Sequence, residues 1–494
     1  MIKVAIIDDG VAKKYLCDTP IKSFKIDQYN NFHECESEKE INHATQCALI
    51  IKKYFSQVSF TSVKIISNSD FGLTSSDKLI AGIWFAFNNG VRIIHFSLGS
   101  IHFQERKKLL SCINFLTAHG AIFISPSSNT NNITFPAVFS SVISVETLDV
   151  DHDIIDTNYY IYNNSYNFTN TDFAANSVHQ IGDLSDGLLF TKQSNSFAAP
   201  VITSYICNII KENPNLTLLQ IKQALMKMAF NYTEGIESSK QYLDWISESI
   251  IITKRRFQNY DNLYYFSMKE IITTSVISET LLETLSTKKY YYDTIIVETD
   301  ENCEEAVRED IEKLIPTNKN IVYISNVKSI TINVQYPYYI YTLPLSFNWL
   351  TSMPPCSFEI DEPLICINVD KVTMAAPLIC LLQQQFENQS YNTLILSDIL
   401  DTFYVQSDYF PPDYYDSYYE QILYYIGCKD KLGLYDLNLI FLHKPHNTFA
   451  KKCDIVLDLD IQDSICCFSI NNCSYTMDIN DFCNFLTSQF DKEE

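Results

Sequence analysis

Glycine is scarce in this chain, with 11 residues in 494, where average usage is about 7%. That scarcity, alongside an abundance of Tyr, Phe, Asn, Lys and Ile, carries little functional information. The shortage of basic residues says more. Lys and Arg number 36 against 59 Asp and Glu, for a formal net charge of −23. A phosphate backbone is held by clustered Lys and Arg, so a nucleic-acid partner is not expected. A basic peptide partner is permitted, although net charge speaks mainly to solubility. No apolar run reaches the roughly 18 residues that a membrane-spanning helix needs. Nor does the chain open as a secretory signal, because Met1-Ile2-Lys3-Val4-Ala5-Ile6-Ile7 is short and Asp8 and Asp9 follow at once. The 15 cysteines are odd in number and include no C-x-x-C pair. Structural metal sites use such close pairs, so no metal and no other cofactor is expected. With no export signal, the cysteines are expected as thiols in a reducing cytoplasm. There is no internal repeat and no low-complexity tract.

What is present is an ordinary globular balance of 46% hydrophobic and 19% charged residues. The length suits two to four domains of about 100–200 residues. Strands are predicted at Val4–Ile7, Val63–Ser67, Val91–Ser97, Ala121–Ser125 and Val142–Glu146. Helices are predicted at Leu79–Asn89, Leu109–His119, Ser196–Lys211 and Leu216–Phe230, with Pro214 separating the last two. Near-continuous apolar strands alternating with helices imply an α/β fold, a parallel sheet covered on both faces. The pattern weakens from about Asn231 to Lys289. It resumes with strands at Thr294–Glu298, Ile321–Ser325, Ile330–Val334, Leu364–Val369, Thr393–Leu396, Leu437–Leu442 and Ile455–Leu459. Helices Glu304–Ile315, Ala375–Phe386 and Asp413–Gly427 complete a second α/β domain.

Three residues stand where chemistry is done. Asp8 ends an apolar strand, and in open α/β sheets ligands gather at the carboxyl ends of strands. Many such proteins, phosphorylated receivers included, carry an Asp there. His43, in Asn42-His43-Ala44-Thr45-Gln46-Cys47-Ala48, opens a helix, as an ordinary helix-start histidine also does. Ser196, in Ser194-Asn195-Ser196-Phe197-Ala198-Ala199-Pro200, stands at the positive end of a helix. A plain N-cap serine would read the same way.

Taken together and in this order, the three segments resemble the signature blocks of the subtilase family. The Asp block fits closely. In the His block His43, Thr45 and Ala48 agree, and in the Ser block Ser196, Ala198 and Pro200. Ile93-Ile94-His95-Phe96-Ser97-Leu98-Gly99-Ser100 resembles the family's substrate-binding strand. Ala121-Ile122-Phe123-Ile124-Ser125-Pro126-Ser127-Ser128-Asn129 resembles the strand that ends in its oxyanion-hole Asn. Phe135-Pro136-Ala137 and Asp172-Phe173-Ala174-Ala175 fit the segments that follow.

The resemblance implies a subtilisin-like parallel sheet and a serine endopeptidase. Ser196 would be the nucleophile, His43 the base, Asp8 its orienting carboxylate and Asn129 the oxyanion donor. Ser97, Leu98, Gly99, Pro126 and Ser128 would bind substrate, with Pro126, Ser128 and Thr134 narrowing the primary pocket toward small residues. Asp9 reads as a bystander in the turn and His95 as a packed strand residue. Ala44 and Gln46 replace a Gly and a His of the family's blocks, and Ser194 and Asn195 replace a Gly and a Thr. A non-catalytic peptide-binding scaffold on the same fold is therefore the other reading.

Only seven residues precede Asp8 in this sequence, so a pro-domain of the kind many relatives carry is not expected. The expectation is a chain that folds without one and is restrained by narrow specificity or a partner. It then resembles the peptidases that remove leader segments from ribosomally made, modified peptides. Its partner would be a peptide or precursor-protein substrate.

The predicted organisation is a catalytic domain over 1–235, a partly helical connector over 236–289 and an α/β accessory domain over 290–494. The accessory domain would be a binding or assembly module in a maturation complex. Its loop Asp370-Lys371-Val372-Thr373-Met374-Ala375-Ala376-Pro377 lacks the glycines and the Gly-Lys-Ser/Thr step of a phosphate-binding loop.

Overall fold

A computed structural model describes the chain except residues 67–74, 101–104, 131, 149–155, 164–168, 185–186, 234–242, 255–264, 275, 326, 328–329, 331–335, 344–347, 352, 357–358, 370–374, 406, 444–445, 463–464, 471–472 and 490–494. It divides into two compact units, Met1–Ser247 with Gln335–Tyr339, and Glu248–Val334 with Ile340–Glu494.

In the first unit one sheet contains β1 (Ile2–Asp8), β2 (Ile21–Ile26), β3 (Phe32–Glu34), β4 (Val58–Lys64), β5 (Ile93–Phe96), β6 (Ile122–Pro126), β7 (Val142–Thr147), β8 (Tyr160–Tyr162) and β9 (Phe173–Ala175). The order is β3-β2-β4-β1-β5-β6-β7-β9-β8. The edge strands β3 and β8 pair antiparallel, and the other pairings are parallel. A separate hairpin joins β10 (Gln180–Leu184) to β11 (Gly187–Phe190). The helices are α1 (His43–Tyr54), α2 (Ser76–Asn88), α3 (Arg106–Ala118), α4 (Asn195–Glu212) and α5 (Leu218–Met228).

The central strand β1 shows why the sheet is covered twice. Val4, Ala5, Ile6 and Ile7 are all fully buried, which requires apolar cover on both faces. Val4 and Ile6 join the core formed with Cys47, Ile50 and Ile51 of α1 and Val201 and Ile202 of α4. Ile7 faces α2, which approaches closely: a Cβ added to Gly82 would stand 3.3 Å from Ile7 Cγ2. Side chains alternate along a strand, so Asp8 follows Val4 and Ile6 toward α1 and α4.

The second unit carries two sheets. The first is wholly parallel and contains β12 (Glu248–Thr253), β13 (Ser267–Thr273), β14 (Thr294–Glu298), β15 (Asn320–Ile324) and β16 (Ile340–Leu343), in the order β13-β12-β14-β15-β16. Its helices are α6 (Glu279–Ser286) and α7 (Glu304–Leu314). The second sheet contains β17 (Leu364–Val369), β18 (Thr393–Ser397), β19 (Asp408–Tyr409), β20 (Leu437–Leu442), β21 (Ile455–Gln462), β22 (Ile465–Ile470) and β23 (Cys473–Asp478). Its order is β19-β18-β20-β17-β21-β22-β23, and only β22 and β23 enter antiparallel. The accompanying helices are α8 (Asn348–Thr351), α9 (Ala375–Asn388), α10 (Pro412–Ser417), α11 (Tyr419–Asp430), α12 (Asn447–Ala450) and α13 (Ile479–Ser488).

The strand expected over Val63–Ser67 is the end of an earlier one, β4, which runs Val58–Lys64. The stretch expected as a connector over 236–289 contains β12 and β13, strands of the second unit's sheet, and that unit begins at Glu248. A six-residue segment such as Glu248–Thr253, apolar only at Ile250–Ile252, has too little length for its period to declare a strand. The helix expected over Asp413–Gly427 is two helices, α10 and α11, parted at Tyr418 (φ −131°, ψ 31°). The strand expected from Ile330, past Ile330 itself, and the start of the loop compared with a phosphate-binding loop lie outside the described residues. Among the described residues no helix is long and apolar enough to cross a membrane.

Candidate active site

The site begins at the carboxyl end of β1, between β4 and β5. Asp8 is 2% exposed. Its Oδ1 accepts from the Asp9 amide at 2.8 Å, and its Oδ2 lies 2.7 Å from His43 Nδ1. The chain then turns away at Gly10, whose φ of +95° suits glycine and where an added Cβ would meet Glu38 Cγ at 3.0 Å. Two hydroxyls hold the turn. Ser62 Oγ accepts from the Val11 amide and Thr45 Oγ1 from the Ala12 amide, both at 2.9 Å.

His43 is the first residue of α1. Four amides at a helix start lack helical partners, and here two side chains serve three of them. Asn42 is the N-cap, its Oδ1 accepting from the Thr45 amide at 3.1 Å while its Nδ2 donates to Gly10 O at 2.5 Å. The Asp9 carboxylate accepts from the His43 amide at 3.2 Å and the Ala44 amide at 2.9 Å. Asp9 is thus no bystander: it fixes the backbone that carries the imidazole.

The two aspartates also set the charge state of His43. Burial works against the imidazolium, but the Asp8 hydrogen bond and the charges of Asp8 and Asp9 outweigh it. His43 is raised above its usual 6.5. Burial, then the neighbouring Asp8 charge, pushes the Asp9 carboxyl up to about 6, against the hydrogen bonds from Ala44 and His43 and the charge of His43.

Ser196 is the second residue of α4. Pro200, four residues on, has no N–H to return to the Ser196 carbonyl. Cys47 of α1 faces that carbonyl instead, with Sγ at 3.6 Å, and also lies 3.7 Å from Ser97 Oγ. Behind them His95 is fully buried. Its Nδ1 meets Thr203 Oγ1 at 2.9 Å and its Nε2 meets Ser97 Oγ at 3.3 Å. Burial, helped by the His43 charge, pushes it down to about 3, so it is a neutral packed strand residue. The Phe197 ring lies 5.2 Å from the His43 ring, centroid to centroid. Among the described residues no hydrogen bond joins Ser196 Oγ to His43 Nε2. In ligand-free sites such bonds are often long and tighten with substrate.

Asn129 lies three residues past the end of β6. Its Oδ1 accepts from the Asn195 amide at 2.9 Å and from Ser194 Oγ at 3.3 Å. With the oxygen so engaged, Nδ2 is the remaining donor. Asn195, read from the sequence only as a departure from the family's block, has a structural task. It is 5% exposed. Its Oδ1 accepts from the Thr147 amide at 2.8 Å, and its Nδ2 reaches Ser127 O and Ser127 Oγ at 3.1 Å and Ser128 O at 2.9 Å. Those partners are distant in the chain, so no local pattern announces them.

The expected substrate-binding residues occupy two segments. Ser97, Leu98 and Gly99 follow β5, and Gly99 is exposed. Ser100 and Phe135 exchange two backbone hydrogen bonds of 2.8 Å, drawing this segment against Thr134. A Cβ on Gly99 would stand 3.2 Å from Thr134 Cβ. Pro126 is buried beside Val145 in the ladder. Ser128 Oγ pairs with Thr130 Oγ1 at 2.8 Å, and its carbonyl is taken by Asn195. Among the described residues no group of three or more His, Cys, Asp or Glu is arranged to hold a metal ion.

Several solved structures are similar. Fervidolysin from Fervidobacterium pennivorans, a keratinolytic enzyme related to subtilisin, matches at 19% identity over 47% of this chain and 40% of its own, with a TM-score of 0.36. A cold adapted subtilisin-like serine proteinase matches at 19% identity over 49% of this chain and 86% of its own, TM-score 0.37. The epidermin leader peptide processing serine protease from Staphylococcus aureus matches at 15% over 45% and 69%, TM-score 0.36. The chain therefore spans two-fifths of the length of fervidolysin. The model of the subtilase family matches residues 1–264, more than half of the 494, and the chain, with its subtilisin-like α/β fold, belongs to the subtilase family.

Proposed function

We propose that this protein is a serine endopeptidase that hydrolyses peptide bonds through an acyl-enzyme. Ser196 Oγ attacks the scissile carbonyl. His43 Nε2 takes the serine proton and returns it to the leaving amine, which breaks the C–N bond and leaves an ester on Ser196. Water, activated by the same imidazole, then releases the acid. Asp8 holds the Nδ1–H tautomer and stabilises the imidazolium. Asn129 Nδ2 and the Ser196 amide meet the oxyanion, and a donor of that kind is typically worth about 10²–10³ in turnover. The observation that carries the reading is the 2.7 Å contact between buried Asp8 and His43.

The test is reaction of the full chain with a fluorophosphonate probe, with the adduct mapped by mass spectrometry and Ser196→Ala as control. Labelling confined to Ser196 supports the peptidase. A wild-type chain that never labels, with or without peptide, sinks it and leaves a peptide-binding scaffold.

We further infer a specific peptide or precursor substrate inside the cell, with a small residue before the cleaved bond. In support, Thr134 packs against Gly99 at the wall expected to receive that residue. Cleavage profiling of a peptide library checks this, and a preference for large aromatics there would count against it.

A further inference from the structure

We propose that Asn195 is a positioning residue for the oxyanion hole, acting through Asn129 and never on substrate itself; this rests on the peptidase reading above. Three chain segments meet at this one buried carboxamide. They are the end of β7 at Thr147, the 127–128 stretch that leads from β6 to Asn129, and the start of α4, which carries Ser196. The Asn195 backbone adds a further tie, its N–H donating to Asn129 Oδ1 at 2.9 Å. The residue before the nucleophile thus anchors the loop that bears the oxyanion donor and also orients the donor's amide, so that nitrogen remains for the substrate.

The geometry explains why an asparagine stands there. One side chain must accept from a strand amide and donate to two successive carbonyls. A carboxamide has one acceptor and two donor hydrogens on a single planar group, whereas a threonine hydroxyl has one donor. The side chain is almost wholly buried and every polar atom of it is paired within the fold, so it has nothing to offer a substrate. Its effect must pass through the separation of Asn129 from Ser196. A displacement of about 1 Å in such a pair costs about 10²-fold.

The test is a double-mutant cycle on the full chain. Asn129→Ala, Asn195→Ala and the pair are compared by the rate of fluorophosphonate labelling, resolved into saturation constant and maximal rate. Thermal unfolding and the titrated fraction of reactive sites verify that each variant is folded. Asn195→Ser, a smaller change, stands in if the alanine variant fails to fold. The expected result is a maximal rate down roughly ten- to a hundredfold for the Asn195 variant, a saturation constant within about twofold, and almost no further loss when Asn129 is already Ala. Losses that multiply in the double variant, or that fall on the saturation constant alone, overturn the positioning role and leave the peptidase intact. A wild-type chain that does not label at Ser196 removes the peptidase reading, and this one with it.

Discussion

Asp8 and Asp9 are adjacent in sequence and reach the same histidine by different routes. Asp8 takes the ring through Nδ1, and Asp9 takes the backbone through the amides of residues 43 and 44. Both carboxylates favour the imidazolium, so His43 holds its proton above the usual imidazole range. A base must be neutral to work, and the acid limb of the labelling rate is therefore expected above pH 6.5. Asp9→Asn removes one of the two charges while keeping an oxygen for one amide. It should move the limb to lower pH, read from labelling rates between about pH 5 and pH 9. A limb that does not move would mean that the Asp9 charge is not felt at the ring. Asp8 and His43 were legible as separate residues because each stands at an element boundary. The role of Asp9 was not, since its partners lie more than thirty residues further along the chain.

Among the elements, the helix starts are the most deliberate local features. Thr217 opens α5 with a reciprocal cap: its Oγ1 accepts from the Gln220 amide at 3.3 Å and Gln220 Oε1 accepts from the Thr217 amide at 3.0 Å. Thr217→Ala is expected to cost about 0.5–2 kcal/mol, measured by denaturant unfolding.

A second local device lies in the other unit, where α10 and the residues after β20 meet the end of β18. His446 is buried, with Nδ1 at 3.0 Å from Asp416 Oδ2 and Nε2 at 3.5 Å from Asp398 Oδ2. The neighbouring Asp398 carboxylate raises its pKa, burial opposes, and Asp416 adds to the rise. A histidine raised in the folded state stabilises it fully below about pH 6.5, the unfolded value, and that contribution disappears as pH climbs through the folded value. The urea midpoint should therefore fall over that range in the wild type and fall less in His446→Gln.

Which elements the sequence declared follows from burial. β1, β6, β17 and β20 are covered on both faces and read as apolar runs. β8 and β9 are apolar but only three residues long, and edge strand β13 is interrupted by Lys269 and Glu270, so their pairing is decided by neighbours elsewhere in the chain.

On the scale of the whole molecule, the chain leaves its first unit after Ser247 and returns to it for Gln335–Tyr339. Trp245 and Tyr339 meet there, ring centroids 4.7 Å apart at 23°. Trp245→Ala and Tyr339→Ala in the full chain are expected to be non-additive by about 0.5–1.5 kcal/mol, the worth of such a pair beyond its buried area. Additive unfolding midpoints would show that the rings do not couple.

The sequence alone determined the alternation that builds a doubly covered parallel sheet, and the Asp, His and Ser whose local settings suit a triad. Those features are local: a period of two or 3.6, a cap, a residue at the end of an apolar run. Only the tertiary structure decided that Asp9 braces His43, that Cys47 meets the carbonyl left open by Pro200, and that Asn195 ties three segments behind Asn129. These contacts join residues 34, 149 and 68 positions apart. Hydrogen bonds over such separations leave no period in the sequence, because they exist only once the sheet and its helices have brought the segments together.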